Sequence, residues 1–117
     1  MDEGEPETEK RNDRNLITLT FRLEEEVKNL LDRFAIKQRL PRSVIIRYVI
    51  EKLLKEEPKY EDVYTNPGHG RSTVISFKID AGMKEKLENY AKNQKASRSE
   101  VVRFAVIRFL KEEGVLE

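Results

Sequence analysis

The sequence predicts a mainly α-helical protein with one short antiparallel β-ribbon, formed by two strand–helix–helix units that fold together as an intrachain pseudo-dimer. Three observations support this. A shift of 56 residues aligns residues 16–57 with 72–113 without a gap, and 12 of the 42 aligned positions are identical. Each repeat opens with alternating apolar and polar side chains, as in a strand. Each repeat closes with a segment that is apolar almost all round, as in a central helix. Residues 56 positions apart are called repeat mates below.

The sequence divides into an N-terminal tail (1–15), a first repeat (16–57), a linker (58–72) and a second repeat (73–117). The first nine residues hold five acids and no base, and such acidic, proline-containing segments are typically disordered. Residues 10–117 then carry 23 basic and 17 acidic side chains, so the body is basic although the whole chain has a net charge of +1. The tail either solubilises the chain or competes for the basic surface.

The two predicted strands, 17–23 and 73–79, each have one apolar face. The inward positions are Leu19, Phe21, Leu23, Ile75, Phe77 and Ile79, and the outward positions are Thr18, Thr20, Arg22, Val74, Ser76 and Lys78. Because a lone strand leaves its backbone groups unpaired, we expect the strands to pair with each other above the helices. A one-residue slip would bury Arg22 and Lys78, so the register is well specified.

The helices have distinct start signals. The first helix of each repeat begins near Glu24 or Asp80, where an acidic side chain suits the positive helix end. The second helix of the second repeat begins with "SRSE", a capping box starting at Ser97. Its repeat mate is Pro41, which predicts a weaker cap but is compatible with a first turn.

The linker contains proline, glycine and polar turn formers. It also contains three apolar or aromatic side chains, Tyr60, Val63 and Tyr64. These predict that part of the linker packs against the repeats.

The order strand, helix, capped turn and helix, with "RS" opening the second helix and the whole unit present twice, resembles the ribbon-helix-helix family of Arc, MetJ and the plasmid copy-control repressors. The resemblance covers residues 16–57 and 72–113. Two copies in one chain look like the tandem regulators of archaea and archaeal viruses. The resemblance implies a sequence-specific transcription regulator of double-stranded DNA, acting as a repressor by occlusion. Its ribbon would enter the major groove above four interlocked helices.

The resemblance also implies which residues contact DNA. The base-reading residues are Thr18, Thr20, Arg22, Val74, Ser76 and Lys78, because outward ribbon side chains reach base edges. The phosphate-binding residues are Arg42, Ser43, Ser97, Arg98 and Ser99, at the turns that enter the second helices. The alternatives are a solvated polar face for the ribbon and ordinary helix capping for the serines.

Three further positions carry expectations. Arg47 and its repeat mate Arg103 lie one turn deeper, and we expect a structural ion pair there, with Glu51 four residues after Arg47, rather than a DNA contact. Ile107 replaces Glu51 on an otherwise polar stripe. It therefore marks a candidate interface between two chains, which as a homodimer would bind an inverted repeat.

Other classes of function have little support. The chain has no cysteine and a single histidine, which argues against a metal site or other cofactor, and no catalytic constellation is visible, so we expect no enzyme. Without a transmembrane pattern, we expect a cytoplasmic protein, or one in the host cytoplasm if the source is viral. Two alternatives stay open: an antitoxin-like protein-interaction module, and an architectural DNA-binding protein of low specificity.

Overall fold

The computed structural model describes residues 16–62 and 71–116. Within them the chain forms two strands and four helices in the order βααβαα. Their bounds are β1 Leu16–Glu24, α1 Glu25–Gln38, α2 Arg42–Glu56, β2 Ser72–Asp80, α3 Ala81–Asn93 and α4 Arg98–Glu112. The tail at 1–15, together with Val63 and Tyr64 of the linker, lies outside the described residues.

The two strands pair with each other in an antiparallel ribbon, as predicted, and each extends one residue further at both ends. Thr20 lies opposite Ser76, its own repeat mate. A pseudo-two-fold axis therefore passes through this pair and relates the two repeats. The register keeps the inward side chains buried on one face.

The second helix of each repeat packs beneath the strand of the other repeat. α4 contacts β1, and α2 contacts β2. Under the ribbon, the rings of Phe21 and Phe77, which are repeat mates, meet edge to face with centroids 5.8 Å apart. Because each strand is supported by the other repeat, the two units form one interlocked core. This confirms the predicted intrachain pseudo-dimer.

The helix caps follow the sequence signals. Asp80 accepts a 2.8 Å hydrogen bond from the Met83 amide. Ser97 accepts from the Glu100 amide at 3.1 Å, and the Ser97 amide donates to the Glu100 carboxylate at 2.9 Å, which completes the predicted capping box. Pro41 precedes α2 without a side-chain cap. The predicted contrast between the two repeats is confirmed.

Four charged side chains join the C-terminal ends of α2 and α4. Lys52 lies 2.6 Å from Glu56 and 3.4 Å from Glu112, and Arg108 lies 2.8 Å from Glu56 and 3.5 Å from Glu112. Lys52 and Arg108 are repeat mates, as are the two glutamates. The network is therefore reciprocal across the pseudo-two-fold axis and ties the repeats together.

This network predicts an acid-sensitive contribution to stability. Hydrogen bonds from Lys52, which has the larger effect, and from Arg108 hold the pKa of Glu56 below its ordinary value of 4.5. A carboxylate whose pKa is lower in the folded state than in the unfolded state stabilises the fold at pH values above its unfolded-state pKa. This contribution is lost as the pH falls through the folded-state pKa. We expect the urea midpoint of the wild type to fall more between pH 6 and pH 3 than that of Glu56→Gln. If the urea midpoints of the wild type and of Glu56→Gln fell by the same amount at low salt, the network would not stabilise the fold.

The linker begins as a strap across the second repeat. The Tyr90 hydroxyl donates to the Pro58 carbonyl, and the Tyr60 amide donates to Gln94 Oε1 at 2.9 Å. The Tyr60 ring packs on Phe104 with centroids 5.3 Å apart. The predicted packing of Tyr60 is confirmed.

The burial of Ile107 shows that one prediction was wrong. Ile107 is only 1% exposed and lines a groove together with Pro58 and Lys59 of the strap. Since its side chain is already covered by its own chain, Ile107 does not mark an interface for a second chain. Its repeat mate Glu51 is exposed, so the two equivalent positions differ in burial.

Candidate nucleic-acid interface

The outer face of the ribbon brings the six predicted base-reading residues together. All six side chains are exposed, including the apolar Val74 at 53%. They form three cross-strand pairs, which are Thr18 with Lys78, Thr20 with Ser76, and Arg22 with Val74. One cation therefore lies at each end of the face and two hydroxyls lie at its centre. Polar donors and acceptors point away from the core along the whole ribbon.

Arg22 is held by two hydroxyls. Its Nη1 donates to Ser72 Oγ at 3.2 Å, and its backbone amide donates to Ser99 Oγ at 3.2 Å. Ser72 is the diagonal neighbour of Arg22 on the same ribbon face. Ser72 was not among the predicted site residues because its neighbours predict a linker. The signal for it was the alternation of the strand, which puts Ser72 on the same face as Val74 and Ser76.

Arg47 supports the ribbon from below. Its Nη1 donates to the Lys78 carbonyl at 2.9 Å, whereas the described residues show no ion pair between Arg47 and Glu51. The predicted ion pair was therefore wrong. Because α2 runs beneath β2, the backbone of the ribbon is within reach of its second turn. Arg47 thus fixes the strand segment that carries Lys78. Its repeat mate Arg103 is 9% exposed within α4.

The arginines at the starts of α2 and α4 each contact an acid from the preceding helix. Arg42 Nη1 lies 3.2 Å from Asp32, which is also 3.1 Å from Lys28. In the second repeat, Arg98 lies 2.8 Å from Glu88, which is also 3.1 Å from Lys84. Each residue of the first triad is the repeat mate of the corresponding residue of the second. Hydrogen bonds from Lys84 and also from Arg98 lower the pKa of Glu88 despite partial burial.

These acidic partners were also missed, although the sequence contained a signal. A lysine precedes an acid by four residues at the same place in both repeats. The triads hold Arg42 and Arg98 beside the helix N-termini, where backbone amides face outward. Each guanidinium shares its charge with a carboxylate that is partly exposed to solvent.

The three predicted serines occupy different positions. Ser97 is the N-cap of α4, and Ser99 links that helix to the backbone of β1. Ser43, in the first turn of α2, lines a shallow groove with Thr18 and Lys78 at one edge of the ribbon. The starts of α2 and α4 therefore lie next to the ribbon. Ser97 also caps α4, as expected.

The described ranges contain neither a cluster of metal ligands nor a membrane-spanning helix. Over 16–62 and 71–116, no three histidine, cysteine or acidic side chains cluster as metal ligands would. None of the helices in these ranges has both the length and the hydropathy of a membrane span.

Comparison with known proteins gives viral relatives. "Uncharacterized protein 59" of Sulfolobus islandicus rod-shaped virus 1 is 49% identical over 45 residues, which are 38% of this chain and 76% of the relative. "Uncharacterized protein ORF60" and "Uncharacterized protein ORF59b" of Acidianus two-tailed virus are each 49% identical over 39 residues. Those matches cover 33% of this chain and just under two thirds of the relatives, 65% and 66%. No solved structure matches the chain.

The family comparison matches the chain twice. Residues 17–57 and again residues 73–113 match the description "Ribbon-helix-helix protein, copG family". The two matches coincide with the two βαα repeats and cover most of the chain. This family has a non-enzymatic DNA-binding fold of transcription regulators, and its members usually dimerise. The chain therefore belongs to the copG family of ribbon-helix-helix proteins, with two copies of the family's unit in tandem.

Proposed function

We propose that this protein is a sequence-specific regulator that inserts its β-ribbon into the major groove of double-stranded DNA and represses transcription by occlusion. The observation that carries the proposal is the outer face of the ribbon, where the exposed side chains are cationic or hydroxyl-bearing except for Val74. A two-stranded ribbon fits the width of the major groove, and each base pair presents a distinct pattern of donors and acceptors there.

The chemistry of each outward residue suits a base edge. Arg22 and Lys78 donate to the acceptors of guanine, and the hydroxyls of Thr18, Thr20 and Ser76 take either role. Val74 supplies an apolar contact for a thymine methyl group. The hydrogen bond that Arg22 donates to Ser72 and the one that Arg47 donates to the Lys78 carbonyl restrict both ends of the face. Such pre-organisation reduces the entropy lost on binding.

The starts of α2 and α4 provide phosphate contacts on either side of the ribbon. Backbone amides at a helix N-terminus attract anions, and Arg42 or Arg98 adds a guanidinium beside each of them. Ser43, Ser97 and Ser99 add hydroxyls at the same two places. Contacts of this kind orient a protein on the duplex without reading its sequence.

The two ends of the reading face differ, which has a consequence for the operator. Arg22 lies opposite Val74, while its repeat mate Lys78 lies opposite Thr18. A homodimer with a single repeat per chain would place identical side chains at both ends. We therefore propose that one chain reads a subsite whose two halves are related but not identical.

Selection from random DNA duplexes tests the proposal. The selected sequence is expected to bind at least a thousandfold more tightly than a scrambled duplex at matched salt, as specific regulators do. Fluorescence anisotropy at two salt concentrations separates this preference from phosphate binding. Equal affinity for both duplexes would indicate an architectural protein, and no DNA binding at all would favour a protein-interaction module.

Arg98→Ala tests the phosphate contacts separately. Loss of one phosphate contact is expected to weaken selected and scrambled duplexes alike and to reduce the slope of log affinity against log salt by about 1. Glu88→Gln is the matched variant, since it removes the carboxylate that competes for the same guanidinium. It is expected to strengthen binding to both duplexes. A loss confined to the selected duplex would instead assign Arg98 to base reading.

We also propose that two chains bind an inverted repeat, with their ribbons about one helical turn apart, as paired readers of the major groove do. Light scattering measures the number of chains in the free protein and in its complex with the selected duplex. A monomer in both states would contradict it.

A further inference from the structure

The first repeat carries an open groove of about 350 Å³ between α1, α2 and the end of α4. Leu40, 45% exposed, and Tyr48, 53% exposed, line it, whereas Ile36, 75% exposed, lies on the face of α1 opposite Phe34 and Gln38. Val74 on the ribbon is the only other large apolar side chain exposed in the described part of the chain. Two of the four exposed large apolar side chains in the described residues, Leu40 and Tyr48, therefore share this groove.

The equivalent groove of the second repeat is filled by the chain itself. The strap residues Pro58 and Tyr60 lie against Tyr90, Gln94 and Phe104 there. The repeat mates of those three groove residues are Phe34, Gln38 and Tyr48, which all line the open groove. The effect of filling is large, since Phe104 is 5% exposed and its repeat mate Tyr48 is 53% exposed.

The filled groove shows what such a surface binds. The strap, which lies outside any helix or strand, supplies a carbonyl, an amide and, two residues after the proline, an aromatic ring. In the open groove, the Gln38 amide and the Tyr48 ring offer the same two contacts as Gln94 and Phe104. Phe34 lacks the hydroxyl with which Tyr90 binds the strap carbonyl. Leu40, the repeat mate of Ala96, adds apolar surface to the open groove. The aromatic ring of an occupant is therefore expected to contribute more of the binding here than Tyr60 does in the filled groove.

The described residues of this chain do not provide the occupant. Pro58 and Tyr60 already fill their own groove, and a second copy has the same segment engaged in the same way. After α4 the chain turns back, because the amides of Val115 and Leu116 donate to the Leu110 carbonyl at 2.9 and 3.1 Å. Leu40 and Tyr48 stay exposed beside it.

We infer that the open groove of the first repeat is a docking site for an extended segment of a partner protein, anchored by an aromatic side chain. The aromatic ring packs between Leu40 and Tyr48, and the amide of the same residue donates to Gln38 Oε1, as Tyr60 does to Gln94. The exposed Lys37 and Arg39 flank Gln38 and favour acidic residues next to the anchor.

A random 12-residue peptide library, displayed on phage and selected against the full chain, tests the inference. Enriched peptides are expected to share an aromatic residue. Synthesised as free peptides, they are expected to bind the Leu40→Asp variant at least tenfold more weakly than they bind the wild-type protein. Gln38→Ala, which removes only the amide, is expected to weaken them several-fold. The linker hexapeptide "EPKYED" and its alanine variant "EPKAED" provide a defined pair, of which only the first is expected to bind.

Matched controls keep the test decisive. Lys92→Asp alters the repeat mate of Ile36 on the second repeat and is expected to leave peptide binding unchanged. Ile36→Asp introduces an aspartate on the face of α1 opposite Phe34 and Gln38 and is also expected to leave peptide binding unchanged. The inference is overturned by a lack of enrichment or by peptides without an aromatic residue. It is also overturned by insensitivity to Leu40→Asp, or by a dimer of chains that Leu40→Asp dissociates.

Discussion

Replacing Arg22 with alanine is expected to weaken binding to the selected operator by about 1 to 3 kcal/mol and to relax preference at one base position. Ser72 holds the guanidinium on the outer ribbon face, so the loss removes an oriented donor rather than a mobile charge. Lys78→Ala is expected to relax a different position, in the other half of the subsite, because Lys78 lies at the opposite end of the face. Anisotropy against duplexes with single base changes measures both effects.

Lys111→Ala is the control for charge. It removes one cation from the last turn of α4, at the end remote from the N-terminus of that helix. Its effect is expected to be small and the same for every duplex. If Arg22→Ala, Lys78→Ala and Lys111→Ala all weakened selected and scrambled DNA equally, the ribbon would not read bases.

Phe21→Ala is expected to destabilise the fold by about 3 to 5 kcal/mol, the usual cost of removing a buried phenylalanine. Phe21 is 2% exposed and packs edge to face on Phe77 beneath the ribbon. Since small domains have about 5 to 15 kcal/mol of total stability, this loss would leave much less of the protein folded at physiological temperature. Urea unfolding followed by circular dichroism measures the change.

Val74→Ala provides the comparison on the opposite face of the same ribbon. Because Val74 is largely exposed, its truncation is expected to change stability by no more than about 0.5 kcal/mol. Phe77→Ala, at the repeat mate of Phe21, is expected to cost about as much as Phe21→Ala. Similar small effects for all three variants would mean that the paired strands do not cover the core as described.

The strands, the helix order and the intrachain pairing could be predicted because each depends on local patterns that occur twice. Period-two alternation placed Phe21 inside and Arg22 outside, and the capping box placed the start of α4. The repeat itself identified Thr20 and Ser76 as equivalent positions, and they lie opposite each other at the centre of the register.

Contacts between distant segments could not be predicted in the same way. The pairing of Arg47 with the Lys78 carbonyl depends on α2 passing under the strand of the other repeat, which helix spacing alone does not reveal. Ile107 was misinterpreted because its place on a polar stripe suggested exposure, whereas tertiary packing leaves it only 1% exposed. Ser72 was assigned to the linker because its neighbours are turn formers, although it joins the ribbon.

The pseudo-two-fold axis through Thr20 and Ser76 is only approximate, and this affects how the protein can evolve. In an assembly of identical subunits, every codon change appears on both sides of the axis at once, so both half-sites of an operator must drift together. Here a mutation at Arg22 leaves Lys78 untouched. Tandem fusion therefore lets the side chains at one end of the ribbon change while those at the other end stay as they are.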